Sequence, residues 1–162
     1  MMHIKGGIEK ALWSVAIPGF GQLLNKKYLK GTILIFLEFL INVKANINTI
    51  IVLSFYGKTE LAVKEANYQW LMFYPCVYMF AIWDAYRDGG GYDEPLLYLP
   101  FAVAAYVETI GVIYSKTLKA FGVLLGPIFL PMIFIFLGLI IGFFIRFLLL
   151  RKNTMLNINS KT

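Results

Sequence analysis

The chain has 162 residues, of which 59% are hydrophobic, 17% aromatic and only 15% charged. An ordinary soluble domain is about 45–50% apolar and about 25% charged, so this composition argues against a soluble enzyme, a disordered chain and a disulfide scaffold. The formal charge of +6 comes from basic residues in short loops and tails, a pattern that is typical of membrane orientation signals and not of a nucleic-acid-binding surface.

The first predicted element is a short helix that breaks at a proline and a glycine. Apolar residues 11–17 are followed by the pentapeptide Pro18-Gly19-Phe20-Gly21-Gln22. Proline removes a backbone donor and glycine adds flexibility, so a helix ends here. Residues 11–24 are too few to cross a bilayer, which takes roughly 20 apolar residues. The pattern predicts a re-entrant or interfacial segment, with a signal peptide as the less favoured alternative.

Four longer apolar stretches predict four membrane-spanning helices. They cover about 32–55, 68–86, 96–114 and 121–150, and the last contains 25 consecutive residues without a charge. The expected fold class is therefore an all-α integral membrane protein with about four transmembrane helices and the broken N-terminal helix. Its expected regions are a membrane hairpin region at 1–88, a Gly-rich loop at 89–95, a two-helix membrane region at 96–150 and a polar tail at 151–162.

The distribution of basic residues predicts the orientation of these helices. If residues 11–24 do not cross the membrane, ten basic residues share one side and four lie on the other; if they do cross, the division is eight to six. The positive-inside rule favours the more unequal division, with both termini in the cytoplasm. The ten are Lys5, Lys10, Lys26, Lys27, Lys30, Arg87, Arg146, Arg151, Lys152 and Lys161, and the four are Lys58, Lys64, Lys116 and Lys119.

Two motifs occur together in the first half of the chain. The N-terminal motif is the pentapeptide that begins at Pro18, followed by Asn25 and then Lys30-Gly31, and the later one is Trp83-Asp84-Ala85-Tyr86-Arg87. The pair resembles small bacterial membrane proteins with a P-G-x-G-Q…N…K-G signature and a later W-D-A-Y-R signature, and is more loosely similar to the two-transmembrane (TM-two) domain family. The resemblance covers roughly residues 11–88 and implies a membrane hairpin in the bacterial plasma membrane rather than a biochemical activity.

The residues of these motifs can hold the hairpin together. Asp84 and Arg87 are i,i+3 neighbours that can pair at a helix end, and Asp84 can instead meet Lys26, Lys27 or Lys30 across the hairpin. The favoured interpretation is a structural clasp, and the alternative is a binding site for a lipid headgroup or a partner. The candidate motif residues are Pro18, Gly19, Gly21, Gln22, Asn25, Gly31, Trp83, Asp84 and Arg87.

Three charged residues fall inside the predicted spans. A charge at the centre of a membrane helix costs roughly 2.5–3.5 kcal/mol, so Glu38, Lys44 and Glu108 are candidates for a solute or ion pathway. Glu38 and Lys44 are six residues apart and point in different directions on one helix, so a buried Lys44 would need a partner from another helix, and Glu108 is the obvious candidate. The alternatives are that these residues serve packing, that Lys44 reaches the membrane surface, or that the helix is interrupted near Asn42–Asn46.

Glycine spacing predicts close helix packing near the C-terminus. Gly122/Gly126 and Gly138/Gly142 both have G-x-x-x-G spacing, which lets membrane helices approach closely. Packing within the chain is favoured over self-association. Gly126, Pro127 and Pro131 are expected to kink the last helix, and Arg146 to reach the cytoplasmic headgroups.

The sequence predicts a non-enzymatic protein with no catalytic residues, cofactor or metal site. Cys76 is the only cysteine and His3 the only histidine, and no H-E-x-x-H or Ser–His arrangement is evident. The expected function is an accessory or assembly factor that acts on membrane lipids or membrane proteins. The alternative is a small solute or ion transporter or channel that uses Glu38, Lys44 and Glu108.

Overall fold

The computed structural model describes residues 2–91 and 94–159, and these residues are almost entirely helical. The middle of the predicted 89–95 loop and the end of the predicted tail, with Lys161, lie outside the described residues. The helices are α1 (Met2–Ala16), α2 (Phe20–Leu24), α3 (Tyr28–Ala45), α4 (Ile47–Phe55), α5 (Thr59–Glu65), α6 (Tyr68–Leu71), α7 (Tyr74–Tyr86), α8 (Tyr98–Tyr114) and α9 (Gly126–Asn159). The all-α fold class is confirmed.

The predicted break of the first helix is present. Helix α1 ends at Ala16 and α2 begins at Phe20, and Gly19 between them has φ 105°. A side chain is strained in this left-handed conformation, and a Cβ at Gly19 would also lie 2.5 Å from the carbonyl oxygen of Gly31. Glycine is therefore required at this turn for two independent reasons.

The predicted span 32–55 is not one straight helix. It divides at Asn46, which has φ 61°, and α3 and α4 meet at an angle of 62°. Lys44 therefore lies in the last turn of α3, just before the bend. Asn tolerates the left-handed conformation better than most residues, so Asn46 can end α3 within the predicted span. The alternative of an interrupted helix is the one that the structure shows.

The last helix begins five residues later than predicted. Strands β1 (Lys119–Ala120) and β2 (Val123–Leu124) form an antiparallel hairpin, with Lys119 opposite Leu124. Gly122 and Gly126 have φ values of 82° and 72°, which allow the hairpin turn and the start of α9. The prediction that Gly122/Gly126 forms a helix-packing face is therefore wrong, because these two residues do not share a helix face.

Gly138 and Gly142, in contrast, lie in α9 and pack against α8. A Cβ at Gly138 would lie 2.6 Å from the Cα of Ala104, and one at Gly142 would lie 2.5 Å from the Cα of Pro100. The absence of side chains brings the two backbones together. This glycine face is occupied within the chain.

Helix α9 has the features of a membrane span. Residues Gly126–Lys152 form a 27-residue stretch that contains an 18-residue window with a mean hydropathy of 2.9, and 22% of that window is buried. Among the described helices it alone is long and apolar enough to cross a bilayer by itself, and the bent pair α3 and α4 passes the same test jointly. Length and composition thus identify one or two spans, and not the predicted four.

Helices α1 and α2 run along α7 in opposite directions. A Cβ at Gly7 would lie 3.1 Å from the carbonyl oxygen of Tyr86, and the carbonyl oxygen of Val15 accepts a 2.8 Å hydrogen bond from the Tyr78 hydroxyl. Helix α1 therefore passes from the C-terminal end of α7 to its middle. The chain then turns and returns, because Asn25 donates a 2.8 Å hydrogen bond to the carbonyl oxygen of Ala85. The N-terminal segment begins and ends near the same end of α7.

Candidate functional site

The two sequence motifs meet at the C-terminal end of α7. Gln22 of the first motif is fully buried, and its amide nitrogen donates to the carbonyl oxygen of Ala81 at 2.8 Å and to Asp84 Oδ2 at 3.1 Å. Its amide oxygen accepts a hydrogen bond from the Ser14 hydroxyl at 3.2 Å. One glutamine side chain thus joins α1, α2 and α7 at a position where water is excluded.

Gly21 allows the three helices to come this close. A Cβ at this position would overlap the carbonyl oxygen of Lys10 and would lie 2.6 Å from the Cβ of Ala85. The backbone nitrogen of Gly21 donates to the Ser14 hydroxyl at 3.2 Å. Gly31 has a similar role between α2 and α3, since a Cβ there would lie 2.6 Å from a methyl group of Leu23. Pro18 is buried beside the turn.

Asp84 is the centre of a charged cluster. Its side chain is 1% exposed, and Oδ1 lies 2.8 Å from Lys30 Nζ and 2.9 Å from an Arg87 nitrogen. Asp88 binds the same two cations, at 3.0 Å from Lys30 and 3.1 Å from Arg87. The Arg87 guanidinium also lies 4.4 Å from the centre of the Trp83 ring, where a cation–π interaction stabilises its charge. Two carboxylates and two cations therefore neutralise one another across the hairpin.

Lys30 joins α3 to the end of α7, because its ammonium group donates to Asp84 Oδ1 at 2.8 Å and to Asp88 Oδ2 at 3.0 Å. We call the set Ser14, Gln22, Lys30, Asp84, Arg87 and Asp88 the Asp84 cluster.

Of the sequence-predicted motif residues, most lie in or beside the Asp84 cluster. Asp84 pairs with both Arg87 and Lys30, so the two pairings that the sequence left open are both present. Lys26 and Lys27 are exposed and make no ion pair in the described part of the chain. The lysine partner is therefore Lys30, in the first turn of α3.

A second ionic contact was not predicted from the sequence. Glu94 accepts a 2.6 Å hydrogen bond from the Tyr86 hydroxyl and lies 3.1 Å from an Arg146 nitrogen. Arg146 also donates to the carbonyl oxygen of Pro95 at 3.0 Å. The bond from Tyr86 opposes burial and, together with Arg146, lowers the pKa of Glu94. This contact fastens α9 to the C-terminal end of α7, and its partners are too far apart in sequence for local spacing to suggest it.

The three charged residues predicted within spans do not form one group. Lys44 is exposed on α3, whereas Glu108 on α8 is 3% exposed, so the pairing considered from the sequence is not formed. Glu38 is half-buried, and its Oε1 lies 3.5 Å from the Tyr74 hydroxyl. Glu38 Oε2 and Glu108 Oε2 are buried without a hydrogen-bond partner among the described residues.

Glu108 lines a cavity of about 510 Å³ between the helices. The walls come from α4, α7, α8 and α9, with single contributions from α1 and α6. The lining is otherwise apolar apart from Tyr74 and Tyr78, whose rings stack with centroids 5.3 Å apart. The sequence indicated Glu108 as a candidate but could not place it at this cavity, because the cavity depends on how four helices pack.

No protein-family model, curated protein or solved structure matches this chain. The resemblance carried by the two motifs therefore remains a prediction.

Proposed function

We propose that this chain is a non-enzymatic, multi-pass membrane protein that serves as an accessory or assembly factor by binding lipids or membrane partners. The observation that carries the proposal is the outer surface of α9. Phe136, Ile140 and Phe144 are 65%, 67% and 60% exposed, although they belong to the described helix that is long and apolar enough to cross a bilayer by itself. A core helix of a soluble protein is mostly buried, and an apolar surface of this extent is costly in water.

The arrangement of charge supports a specific topology. Lys30, Arg87 and Arg146 lie at the C-terminal end of α7, in or beside the Asp84 cluster. Lys116 lies elsewhere, 3.9 Å from the ring of Tyr68 in α6. With the larger group of basic residues in the cytoplasm, the segment formed by α1 and α2 enters the membrane and returns. The four spans are then the bent pair of α3 and α4, α7 with α6, α8 and α9.

Reporter fusions at both termini test the membrane arrangement. We expect a C-terminal fluorescent protein to fold and fluoresce, because this reporter works in the cytoplasm. A C-terminal alkaline phosphatase should be inactive there, because it becomes active only outside the cytoplasm. N-terminal fusions should give the same result. An active C-terminal phosphatase would overturn the topology.

The second candidate function is a small transporter or channel. Buried carboxyl oxygens of Glu38 and Glu108 without partners favour it, whereas the exposed position of Lys44 removes one of its three expected residues. The two functions differ in a flux assay on protein reconstituted in vesicles with a pH-sensitive dye inside. An accessory protein produces no more proton flux than empty vesicles, and Glu38→Gln and Glu108→Gln leave its partner co-purification unchanged. Flux that either substitution abolishes would establish the second function.

A further inference from the structure

The cavity beside Glu108 has the size of a ligand site. Its volume is about 510 Å³, and pockets that bind small molecules typically measure roughly 300–1,000 Å³. Ile47 and Ile51 of α4, Phe101 of α8 and Ile135 of α9 contribute to an apolar wall. Such a wall suits a hydrocarbon body.

One polar atom in this wall lacks a partner. The Tyr78 hydroxyl donates to the carbonyl oxygen of Val15, and the Tyr74 hydroxyl donates to Glu38, so each of these hydroxyls already has a partner. Glu108 is only 3% exposed, and its Oε2 accepts no hydrogen bond from the described residues. Buried acceptors are nearly always paired.

The lining also restricts what could pair with Glu108. Among the residues that the structure describes, no lysine, arginine or histidine lines the cavity, so an anionic headgroup would meet a carboxyl group and no cation there. A hydrogen-bond donor, by contrast, completes the free acceptor. The cavity reaches the surface at Val15, Met132 and Phe136, which are 45%, 45% and 65% exposed. These residues are apolar, as is the outer surface of α9, so a ligand can enter from a bilayer.

We infer that the cavity binds a membrane-soluble amphiphile with an apolar chain and one terminal hydrogen-bond donor, an amine or a hydroxyl, that binds Glu108. The inference rests on the proposed membrane location. The hydrocarbon chain displaces no hydrogen-bonded group, and the donor satisfies the buried carboxyl oxygen. Glu108 thereby selects for the head of the ligand, and the apolar wall selects for its body.

Photolabelling of the full chain in phosphatidylcholine nanodiscs tests this site. Three matched probes carry a diazirine in a twelve-carbon chain that ends in an amine, a hydroxyl or a methyl group, and mass spectrometry locates the adducts. We expect the amine or the hydroxyl probe to label Phe101 or Ile135 at least about tenfold more than the methyl probe, since a buried hydrogen bond to a carboxylate is worth at least this factor.

Variants of Glu108 identify the donor. Glu108→Leu removes the acceptor and abolishes the preference for either probe. Glu108→Gln keeps an acceptor of similar shape without a charge, so it retains the hydroxyl probe and loses the amine probe. Tyr106→Phe on the exposed face of α8 is the control and leaves labelling unchanged. Ile135→Trp fills the cavity while keeping Glu108, and it abolishes cavity labelling even if Glu108→Leu fails to fold.

The same experiment separates the two ways in which the account can fail. Equal cavity labelling by all three probes, unaffected by Glu108→Leu, overturns the inferred ligand class. If this occurs while Ile140 and Phe144 on the outer surface of α9 are labelled, the membrane location stands. Absence of label at Ile140 and Phe144 overturns both the membrane location and the site that depends on it.

Discussion

Asp84 and Glu108 are two buried carboxyl groups with opposite surroundings. Asp84 accepts hydrogen bonds from Gln22, Lys30 and Arg87, whereas Glu108 faces an apolar cavity with Oε2 unpaired. A buried charge that is paired and hydrogen-bonded holds elements together, and an unpaired buried acceptor costs stability. The comparison shows that burial of a carboxyl group does not by itself reveal its function. Its partners distinguish a structural residue from a candidate binding residue.

The largest expected effect comes from Asp84→Ala. It leaves Asp88 as the one carboxylate of the Asp84 cluster and removes one of the two acceptors of the Gln22 amide, so we expect the free energy of unfolding to fall by about 3 kcal/mol. Thermal unfolding in mild detergent, followed by gel filtration of the surviving monomer, measures this loss. Glu60→Ala at an exposed position of α5 is the control. A normal midpoint and yield for Asp84→Ala would show that the cluster does not stabilise the hairpin.

The next effect comes from Gly21→Ala, which tests whether the Asp84 cluster depends on close packing. The added methyl group would overlap the carbonyl oxygen of Lys10 and crowd Ser14 and Ala85. We therefore expect the free energy of unfolding to fall by roughly 1–3 kcal/mol. Gly6→Ala is the matched helical control, because its nearest neighbour would lie 3.4 Å away. The two variants are compared by their unfolding midpoints in the same detergent. Equal midpoints would argue against the tight packing around Gly21.

Glu108→Leu is expected to change stability in the opposite direction. It removes an unpaired buried acceptor, so in protein without a bound amphiphile the free energy of unfolding should stay the same or rise by about 1 kcal/mol. The same unfolding assay, applied after extensive delipidation, measures this change in the free energy of unfolding. A loss as large as that of Asp84→Ala would mean that Glu108 is a structural residue, and the comparison would fail.

The smallest effect is expected at the contact between Glu94 and Arg146. Glu94 is 37% exposed, so Glu94→Gln should cost less than about 1 kcal/mol, and less still at high salt. Because the fold lowers the pKa of Glu94, its contribution is fully present above the ordinary value of 4.5 and is lost as the pH falls through the lower folded value. Unfolding midpoints of both proteins from pH 7 to pH 3 should converge in acid. A constant difference would contradict this ionic role.

Local features of the fold were predictable from the sequence, and features that depend on tertiary packing were not. The Pro18-Gly19 break and the pairing of Asp84 with Arg87 follow from backbone chemistry and helical spacing. The bend at Asn46 was one of the alternatives that the sequence left open, because polar residues within an apolar stretch can end a helix or pack inside one. The position of Lys44 at the end of α3 depends on that bend.

The candidate site shows the same division. A glutamate in an apolar stretch identified Glu108 as unusual, since such a charge is costly in a membrane helix. Its lack of a partner and the cavity beside it depend on the packing of α4, α7 and α9, which no sequence spacing encodes. The contact of Glu94 with Arg146 was missed for this reason too, because it joins residues on either side of α8.

The most direct test of the contrast between the two carboxyl groups is a comparison of Asp84→Asn with Glu108→Gln in the same delipidated preparation. Both substitutions replace a carboxyl group by an amide with almost no change in shape, so differential scanning calorimetry measures the stability that each carboxyl group contributes. The account predicts a clearly lower unfolding temperature for Asp84→Asn and an unchanged or higher one for Glu108→Gln. Equal decreases, or a decrease for Glu108→Gln alone, would contradict it.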